Sequence, residues 1–269
     1  MRRATASLFL TGSGMMDATA TTGQSVSAAL LIIGDEILSG RTKDKNIGYI
    51  AEYLTNIGID LSEVRVVPDV EGEIVDALNA LRARYTYVFT TGGIGPTHDD
   101  ITADCVAMAF GVGIGHDQRA VAMLRERFAG GELNEARLRM ARIPHGADLI
   151  ANKVSKAPGF RIGNVIVMAG VPSIMQAMLD EVAPSLQTGV KVLSETVRAD
   201  AREGDIGTPL AALAGAHPKV SIGSYPFFDE AGGPNTNIVV RSRDASHLDA
   251  AAQAVRTMLA DWKAAHART

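Results

Sequence analysis

The sequence has little cysteine, few aromatic residues and no long apolar run. One cysteine, Cys105, among 269 residues excludes an internal disulfide framework and a cysteine-based zinc site, and it favours a reducing, cytoplasmic location. No apolar run reaches the roughly 18 residues that a membrane span requires, so we expect no membrane partner. Positive charge is also scarce, because 26 Lys and Arg face 30 Asp and Glu. The resulting net charge of −4 disfavours nonspecific binding to nucleic-acid backbones.

What is present is the composition of an ordinary globular protein, with 46% hydrophobic and 21% charged residues. At roughly 150 residues per domain, the length predicts two domains. Residues 1–26, which are rich in Thr, Ser, Gly and Ala, are predicted to be a disordered tail. The first domain is predicted over 27–186 and the second over 187–269.

The first domain alternates between apolar strands and amphipathic helices. Strands are predicted over 28–33, 59–67, 85–90 and 164–168, and helices over 46–56, from 69 onward, and over 102–110, 118–128, 132–142 and 172–183. This alternation predicts an α/β domain with a parallel sheet and helices on its faces. In such sheets, ligands bind at the carboxyl ends of the strands.

The character of the sequence changes after residue 188. Strands are predicted over 191–199, 220–225 and 237–243, and helices over 209–216 and 248–264. This β-α-β-β-α order predicts a small two-layer α+β domain.

The turn after the first strand carries two acids, Asp35 and Glu36, with Asn46 a little further on. If this strand ends at the ligand-binding edge, one or both carboxylates lie at the crevice. The alternative is that Asp35 caps a turn and Glu36 is solvated. The residues alone leave these two interpretations balanced.

The turn after the third strand, Thr-Gly-Gly-Ile-Gly-Pro-Thr-His-Asp-Asp, is the richest segment. Gly92, Gly93 and Gly95 let backbone amides approach a ligand and form an anion-binding nest, and the following helix directs its N-terminus to the same place. Asp99 and Asp100 are candidates for binding a divalent metal or the N–H groups of a heterocycle. The alternative is that Asp100 merely caps the helix, which leaves the glycine cluster and the second acid unexplained.

Other features are weaker when taken singly. Gly170-Val171-Pro172-Ser173 precedes a helix and is either a second anion site or a plain helix start. His98 lies beside the acids and is a candidate metal ligand or proton carrier, although exposed loop histidines usually have no such role. Cys105 is expected in the core, and the basic run over 125–142 is expected on the solvated side of helices.

Together these motifs resemble the CinA N-terminal family, a branch of the MoaB/Mog molybdopterin-binding superfamily. The similarity rests on Gly-Asp-Glu-Ile-Leu from Gly34, on the glycine turn with its two aspartates, on Gly-Val-Pro, and on Asn152 with Ala-Pro-Gly-Phe. It implies a three-layer, Rossmann-like domain with a mostly parallel sheet, a small KH-like C-terminal domain, and a homo-oligomer. The deamidase domain of full-length CinA proteins is not matched, so no deamidase activity is expected.

The resemblance implies a divalent-metal-dependent nucleotide pyrophosphatase of the ADP-ribose or FAD type, acting with Mg, Mn or Co. The alternative is a protein that binds molybdopterin in molybdenum cofactor biosynthesis without hydrolysing anything. Ile94 stands where Mog enzymes usually carry threonine, which favours the first hypothesis. The partner is then a small phosphate-bearing ligand, a dinucleotide or a pterin. RNA binding by the KH-like domain is disfavoured because its candidate loop contains an acid, Asp205.

The first hypothesis gives each candidate residue a role. Asp99, Asp100, Glu36 and His98 are the predicted catalytic residues, Asp35, Asp99 and Asp100 the predicted metal ligands, and Gly92, Gly93, Gly95, Thr97, Asn46, Gly170, Pro172 and Ser173 the predicted ligand-binding residues. In this scheme Glu36 or His98 takes the proton of the attacking water.

Overall fold

The computed structural model describes residues 25–266 except for 130, 132 and 231. Residues 1–24 of the predicted tail lie outside the described residues. The last residue assigned to that tail, Val26, already begins the first strand, two positions before the predicted start. Among the described residues, no helix is long and apolar enough to cross a membrane.

The elements of the first domain follow the predicted alternation closely. They are β1 (Val26–Ile33), α1 (Asp35–Leu38), α2 (Asn46–Asn56), β2 (Ile59–Val67), α3 (Glu71–Arg84), β3 (Tyr87–Thr91), α4 (Thr102–Phe110), β4 (Ile114–His116), α5 (Gln118–Arg127), α6 (Glu135–Arg139), β5 (Arg142–Pro144), β6 (Asp148–Ile150), β7 (Gly159–Ile162), β8 (Val165–Met168) and α7 (Pro172–Val182). Pro172 is the first helical residue of α7, as its missing N–H predicts.

Within the described residues, the larger sheet has the strand order β2-β1-β3-β8-β7-β6. β1 pairs in parallel with β2 and β3, and β3 pairs in parallel with β8. β7 runs antiparallel to both of its neighbours. The sheet is therefore mixed but mostly parallel, and the carboxyl ends of β1, β3 and β8 lie side by side at one edge.

Helices cover both faces of this sheet, which makes three layers. On one face Leu31 and Val88 pack with Leu78 of α3 and Val106 of α4. On the other face, apolar residues of β1, β3 and β8 pack with residues of α2 and α7, namely Leu30, Phe89, Ile166, Ile50, Leu54, Met175 and Leu179. Because β1 is covered on both sides, it is an almost continuous apolar run, as buried parallel strands usually are.

In the first domain, two predicted helices differ from the structure, and the structure has four additional short strands. The helix expected from Asp69 begins at Glu71, because the Asp69 carboxylate accepts a hydrogen bond from the Asp35 amide instead of capping α3. The helix expected over 132–142 is only α6, since Arg142 already pairs with His116 in a two-stranded ribbon. Strands β4 to β7 were not predicted, because three or four residues are too few to show a periodicity.

The C-terminal region forms the predicted β-α-β-β-α order. Its elements are β9 (Leu193–Arg198), α8 (Glu203–Ala216), β10 (Ser221–Asp229), β11 (Gly233–Ser242) and α9 (Ala245–His266). The strands form an antiparallel sheet in the order β10-β11-β9, and the helices pack on it around Ile206, Ile238 and Val255. α8 begins six residues before the predicted start and contains Pro209 in its interior.

Two contacts join this region to the beginning of β2. The Gly189 amide donates to the Gly58 carbonyl at 3.1 Å, and the Arg243 guanidinium binds the Asp60 carboxylate and the Val190 carbonyl. Gly58 has φ +81, and a Cβ there would lie 2.3 Å from the Gly189 carbonyl oxygen. Only glycine fits this junction without displacing backbone.

We expect Gly58→Ala to lower the free energy of unfolding by several kcal/mol, because the added Cβ meets backbone atoms that cannot rotate away. Gly111→Ala is the matched control, since Gly111 also has positive φ but its Cβ would meet nothing within 4 Å. The control should cost only about 1 kcal/mol. Urea unfolding of both variants measures the difference, and equal losses would contradict the importance of the junction.

Candidate functional site

Three turns touch one another at the carboxyl edge of the larger sheet. A Cβ on Gly92, after β3, would lie 2.1 Å from the carbonyl oxygen of Ile33 at the end of β1. The Gly92 amide donates to the carbonyl of Met168 at the end of β8, and a Cβ on Gly170 would lie 3.3 Å from the Gly92 Cα. The structure thus brings together the three segments that the sequence singled out.

Thr102, the first residue of α4, holds the glycine turn in place. Its hydroxyl donates to the Gly92 carbonyl at 3.0 Å, and its amide donates to the Gly93 carbonyl at the same distance. Gly92 and Gly93 both have positive φ. Among the residues that the structure describes, the amides of Gly93, Ile94 and Gly95 donate to no backbone carbonyl. Fixed peptide groups with free amides are what an anion-binding nest requires.

Asp100 shapes the second half of this turn. Its carboxylate accepts hydrogen bonds from the amide and the hydroxyl of Thr97, at 2.8 and 2.5 Å. α4 instead begins after Ile101 with no side-chain cap, so the interpretation of Asp100 as a helix cap is wrong. The Arg139 guanidinium, at the end of α6, donates to the Asp100 carbonyl at 3.2 Å.

Asp69 joins the acids of the first turn and was missed as a site residue. Its carboxylate accepts a hydrogen bond of 2.9 Å from the Asp35 amide. Burial raises the pKa of Asp69, and the negative charges of Asp35, Glu36 and Asp99 raise it further, while the Asp35 amide partly opposes them. The acids predicted on two separate turns therefore face a common region. No periodicity signals this role, because Asp69 follows Pro68 in a position typical of a helix cap.

Asp99 and His98 lie on the exposed tip of the glycine turn. The His98 side chain is 99% exposed, with its Nδ1 3.9 Å from a carboxylate oxygen of Asp99. Hydrogen bonding to Thr97 lowers the pKa of Asp99, and the positive charges of His98 and Arg139 add to this effect. Across the described part of the chain, no three His, Cys, Asp or Glu side chains are already grouped as a metal centre.

A cavity of about 600 Å³ opens beside the three turns, and we call it the larger lobe. This volume is in the range of small-molecule sites. The larger lobe is lined by Glu36, Gly92, Gly93, Gly95, Asp100, Gly170 and Pro172 among the predicted residues, and by Arg127, Phe128, Met140, Ser155 and Ala157 among those not predicted. The carboxylates of Asp35 and Asp99 lie outside its lining, as do Thr97, His98 and Ser173.

A cavity of about 240 Å³, the smaller lobe, lies on the other side of the Gly92 and Gly170 turns. Its lining includes Asn46 and Thr91, and it shares Glu36, Thr42, Gly92, Gly170 and Pro172 with the larger lobe. The Asn46 side-chain amide donates to the Gly170 carbonyl at 2.9 Å, which ties α2 to the third turn. The two lobes therefore form one branched cleft around shared residues.

The sequence predicts that the basic run over 125–142 lies on a solvated surface, but part of this run contacts other segments. Arg139 supports the glycine turn, and Arg142 forms a two-pronged ion pair with Asp104 at 2.9 and 2.5 Å. Arg127 ends α5 on the wall of the larger lobe, next to Phe128. The amphipathic pattern of α5 correctly marked Arg127 as facing away from the core, but it could not reveal the cavity there.

Two residues named in the sequence analysis lie in the interior. Cys105 is buried in the core between α4 and the sheet, where burial raises the pKa of its thiol to about 12. This confirms that it is a core residue. Asn152 is also buried, and its side chain binds the Ala157 carbonyl and the Val154 and Ser155 amides, which fixes the segment on the far wall of the larger lobe.

Comparison with known families agrees with this architecture. Residues 29–188 match the family model described as "Probable molybdopterin binding domain", and residues 191–268 match the one described as "FAD synthase, middle domain". A crystal structure of CinA from Thermoplasma acidophilum, described as having unknown function, has a TM-score of 0.57 and 34% identity, and covers 60% of this chain and 98% of that one. These matches confirm the predicted resemblance to CinA and to the MoaB/Mog domain.

Relatives of different lengths are similar in sequence to this chain. A protein of Aeropyrum pernix is 32% identical over 86% of this chain and 90% of its own length. A CinA-like protein of Myxococcus xanthus is 31% identical, over 84% of this chain and 56% of its own length. A probable FAD synthase of Caenorhabditis briggsae is 27% identical, over 88% and 50%. The chain thus spans about half the length of the last two relatives.

The raised pKa of Asp69 predicts that Asp69→Asn stabilises the folded protein and that this increase in the free energy of unfolding depends on pH. The ionised form is disfavoured in the folded state, so this destabilisation is absent below the unfolded pKa, about 4, and grows as pH rises through the folded pKa. The amide oxygen of asparagine still accepts from the Asp35 amide. We expect a higher urea midpoint than wild type at neutral pH and none of this gain near the unfolded pKa. Asp76→Asn, on the exposed side of α3, is the control. A gain that is independent of pH would contradict the charge explanation.

Proposed function

The chain belongs to the family described as "Probable molybdopterin binding domain", and on that premise we propose that it is a nucleotide pyrophosphatase that uses a divalent metal. Its substrates are dinucleotide-like anhydrides such as ADP-ribose or FAD. The observation that carries the proposal is that fixed, unpaired amides of the glycine turn line the cleft, while mutually repelling carboxylates lie on the adjoining turns. Amides of this kind suit a phosphate, and excess negative charge suits a cation.

The glycine turn holds one phosphate of the substrate. The amides of Gly93, Ile94 and Gly95 are available as donors, and the N-terminus of α4 adds its partial positive charge. The turn at Gly170 and Pro172, at the N-terminus of α7, lines the cleft beside Gly92 and holds the second phosphate. Thr97 acts indirectly, by binding the Asp100 carboxylate. Ser173 is the predicted ligand residue with the least support, since it lies outside both lobes.

The acids on the turns after β1 and β3 fit a divalent ion of the Mg, Mn or Co type. Asp35 and Asp99 would hold it, with Asp100 as the third predicted ligand. A prebuilt group of three acids is not required, because Mg²⁺ is commonly bound by one or two carboxylates together with substrate phosphates. When bound, such an ion polarises the phosphoryl group and lowers the pKa of the attacking water.

Hydrolysis then needs a group that accepts the proton of water. The water oxygen bonds to one phosphorus, the bridging P–O bond breaks, and the two phosphate monoesters leave. Glu36 is the first candidate base because it lines both lobes of the cleft. His98 is the second, since its exposed ring at the tip of the glycine turn is free to exchange protons with solvent.

A second candidate function is the binding of molybdopterin without hydrolysis, which the description of the matching family favours. The same amides and the same cleft would then hold the phosphate and the ring of the pterin. Titrations with molybdopterin, ADP-ribose and FAD show which ligand the protein prefers. An assay of AMP release then separates the two candidates, because only the first function predicts AMP.

The remaining expectations join this proposal. The KH-like C-terminal region serves packing or self-association, with no nucleic-acid partner, and the working form is a homo-oligomer in the cytoplasm. The match of residues 191–268 to the "FAD synthase, middle domain" model supports a role alongside nucleotide chemistry.

The central prediction is AMP release. Purified protein with ADP-ribose or FAD and Mg²⁺, Mn²⁺ or Co²⁺ should release AMP, measured by chromatography, and Asp99→Ala should lower the rate by at least roughly a hundredfold. Asp249→Ala is the control, since Asp249 is an exposed acid on α9, in the other domain. Absence of AMP with every metal, together with an Asp99→Ala variant that behaves like wild type, would refute the proposal.

Arg127 should contribute to substrate binding. Arg127 lines the larger lobe, so its guanidinium is available to an anionic part of the ligand. We expect Arg127→Ala to raise KM for ADP-ribose roughly five- to tenfold with little change in kcat, as for an interaction made equally in ground and transition states. Arg125→Ala is the control, because Arg125 is exposed on α5 but outside the lining. Equal KM values for the two variants would exclude this role.

A further inference from the structure

The smaller lobe contains two buried polar groups without partners. Asn46 is 4% exposed and Thr91 is 1% exposed. Neither the Asn46 Oδ1 nor the Thr91 hydroxyl has a hydrogen-bond partner among the described residues. A buried polar atom without a partner costs free energy, so such atoms are rare unless a ligand or water completes them. The residues Asn46 and Thr91 both belong to the lining of one cavity.

The orientation of Asn46 fixes what it can recognise. Because its Nδ2 donates to the Gly170 carbonyl, the atom left for a ligand is the acceptor Oδ1. Its complement is an N–H group. The Thr91 hydroxyl can donate or accept, and with Asn46 supplying an acceptor, the pair matches an adjacent donor and acceptor on one ring edge. Nucleobases and fused heterocycles carry such edges.

The remaining lining suits a ring attached to phosphates. Ile32, Ile33 and Ile37 provide an apolar surface, and the lining also contains two cations, Lys43 and Lys45, and two acids, Glu36 and Asp44. The smaller lobe shares Gly92 and Gly170 with the larger lobe, so a ligand that fills both passes the glycine turn. A substrate with two arms joined by an anhydride meets this shape, whereas a ligand with one ring fills one lobe only.

We propose that the smaller lobe is the subsite for a heterocyclic ring of the substrate, bound through the Asn46 Oδ1 and the Thr91 hydroxyl, while the larger lobe takes the other arm. The inference rests on the proposed function, because it assumes that the glycine turn holds the phosphates between the two arms. It adds Thr91 as a specificity residue, a position that begins the glycine-turn motif but to which the sequence assigned no role.

The chain offers a matched pair of threonines for the test. Thr90 and Thr91 are neighbours in β3, both fully or almost fully buried, and both with hydroxyls lacking partners. Successive strand residues face opposite sides of a sheet. Thr91 therefore shares a side with Phe89, which packs under α2, and Thr90 shares one with Val88, which packs under α3 and α4. Thr90 is absent from the lining of the smaller lobe.

The experiment measures binding by calorimetry for wild type, Thr91→Val and Thr90→Val, with ADP-ribose and with inorganic pyrophosphate as separate probes. Valine keeps the shape of threonine, so both variants should unfold at urea midpoints equal to or above that of wild type, since each loses an orphaned hydroxyl. We expect Thr91→Val to weaken ADP-ribose binding roughly tenfold and to leave pyrophosphate binding unchanged. Thr90→Val should change neither.

The outcomes separate this inference from the proposed function. Equal affinity of both variants for ADP-ribose overturns the subsite, even where wild type releases AMP. If wild type binds ADP-ribose, releases no AMP with any metal, and Thr91→Val still shows the selective loss, the subsite is supported and the pyrophosphatase is refuted. If wild type binds neither ADP-ribose nor pyrophosphate, both are overturned. Weaker binding of both probes by Thr91→Val would indicate a distorted glycine turn and also overturn the subsite.

Discussion

The cleft depends on the contact between Gly92 and the Ile33 carbonyl. At this contact the turn after β3 passes directly over the end of β1, at a separation that no side chain at Gly92 would permit. Both strands are covered by helices on two faces, so neither end can move aside without disturbing the core. The hydrogen bonds from Thr102 then fix the glycine peptides, and the bond from the Gly92 amide to Met168 aligns the third turn. The arrangement of the parallel strands therefore determines where the amide groups of the glycine turn lie.

The charges beside the cleft follow from the same meeting of turns at the carboxyl edge of the sheet. Asp35 and Glu36 arrive with β1, Asp69 arrives with the turn after β2, and Asp99 arrives with the turn after β3. Burial raises the pKa of Asp69, which is the most shielded of the group, and the negative charges of the other three acids raise it further. Asp99, at the exposed tip beside His98, has a lowered pKa instead. Acids brought together by one convergence of turns therefore have pKa values shifted in opposite directions, because burial dominates at Asp69 and hydrogen bonding dominates at Asp99.

Much of this could be predicted from the sequence, and the limits have physical causes. Continuous apolar runs and helical spacing located β1, β2, α2 and α4 almost to the residue, because burial on both faces leaves a strong pattern. The glycine turn and its acids were recognisable because few folds tolerate so many glycines between a strand and a helix. Short strands such as β5 carry too few residues for a period. The roles of Asp69, Thr91 and Arg127 depend on which distant segments face them, and local patterns do not contain that information.

The attachment of the C-terminal region has a consequence for evolution. It is fastened at Gly58 and Asp60, at the beginning of β2, whereas the cleft lies where the strands finish. Asp60 and Val67 are seven positions apart in the strand, roughly 23 Å at about 3.3 Å per residue. The appended module is thus held at the opposite edge of the sheet from the cleft. It could be exchanged or extended without rebuilding the turns that form the cleft.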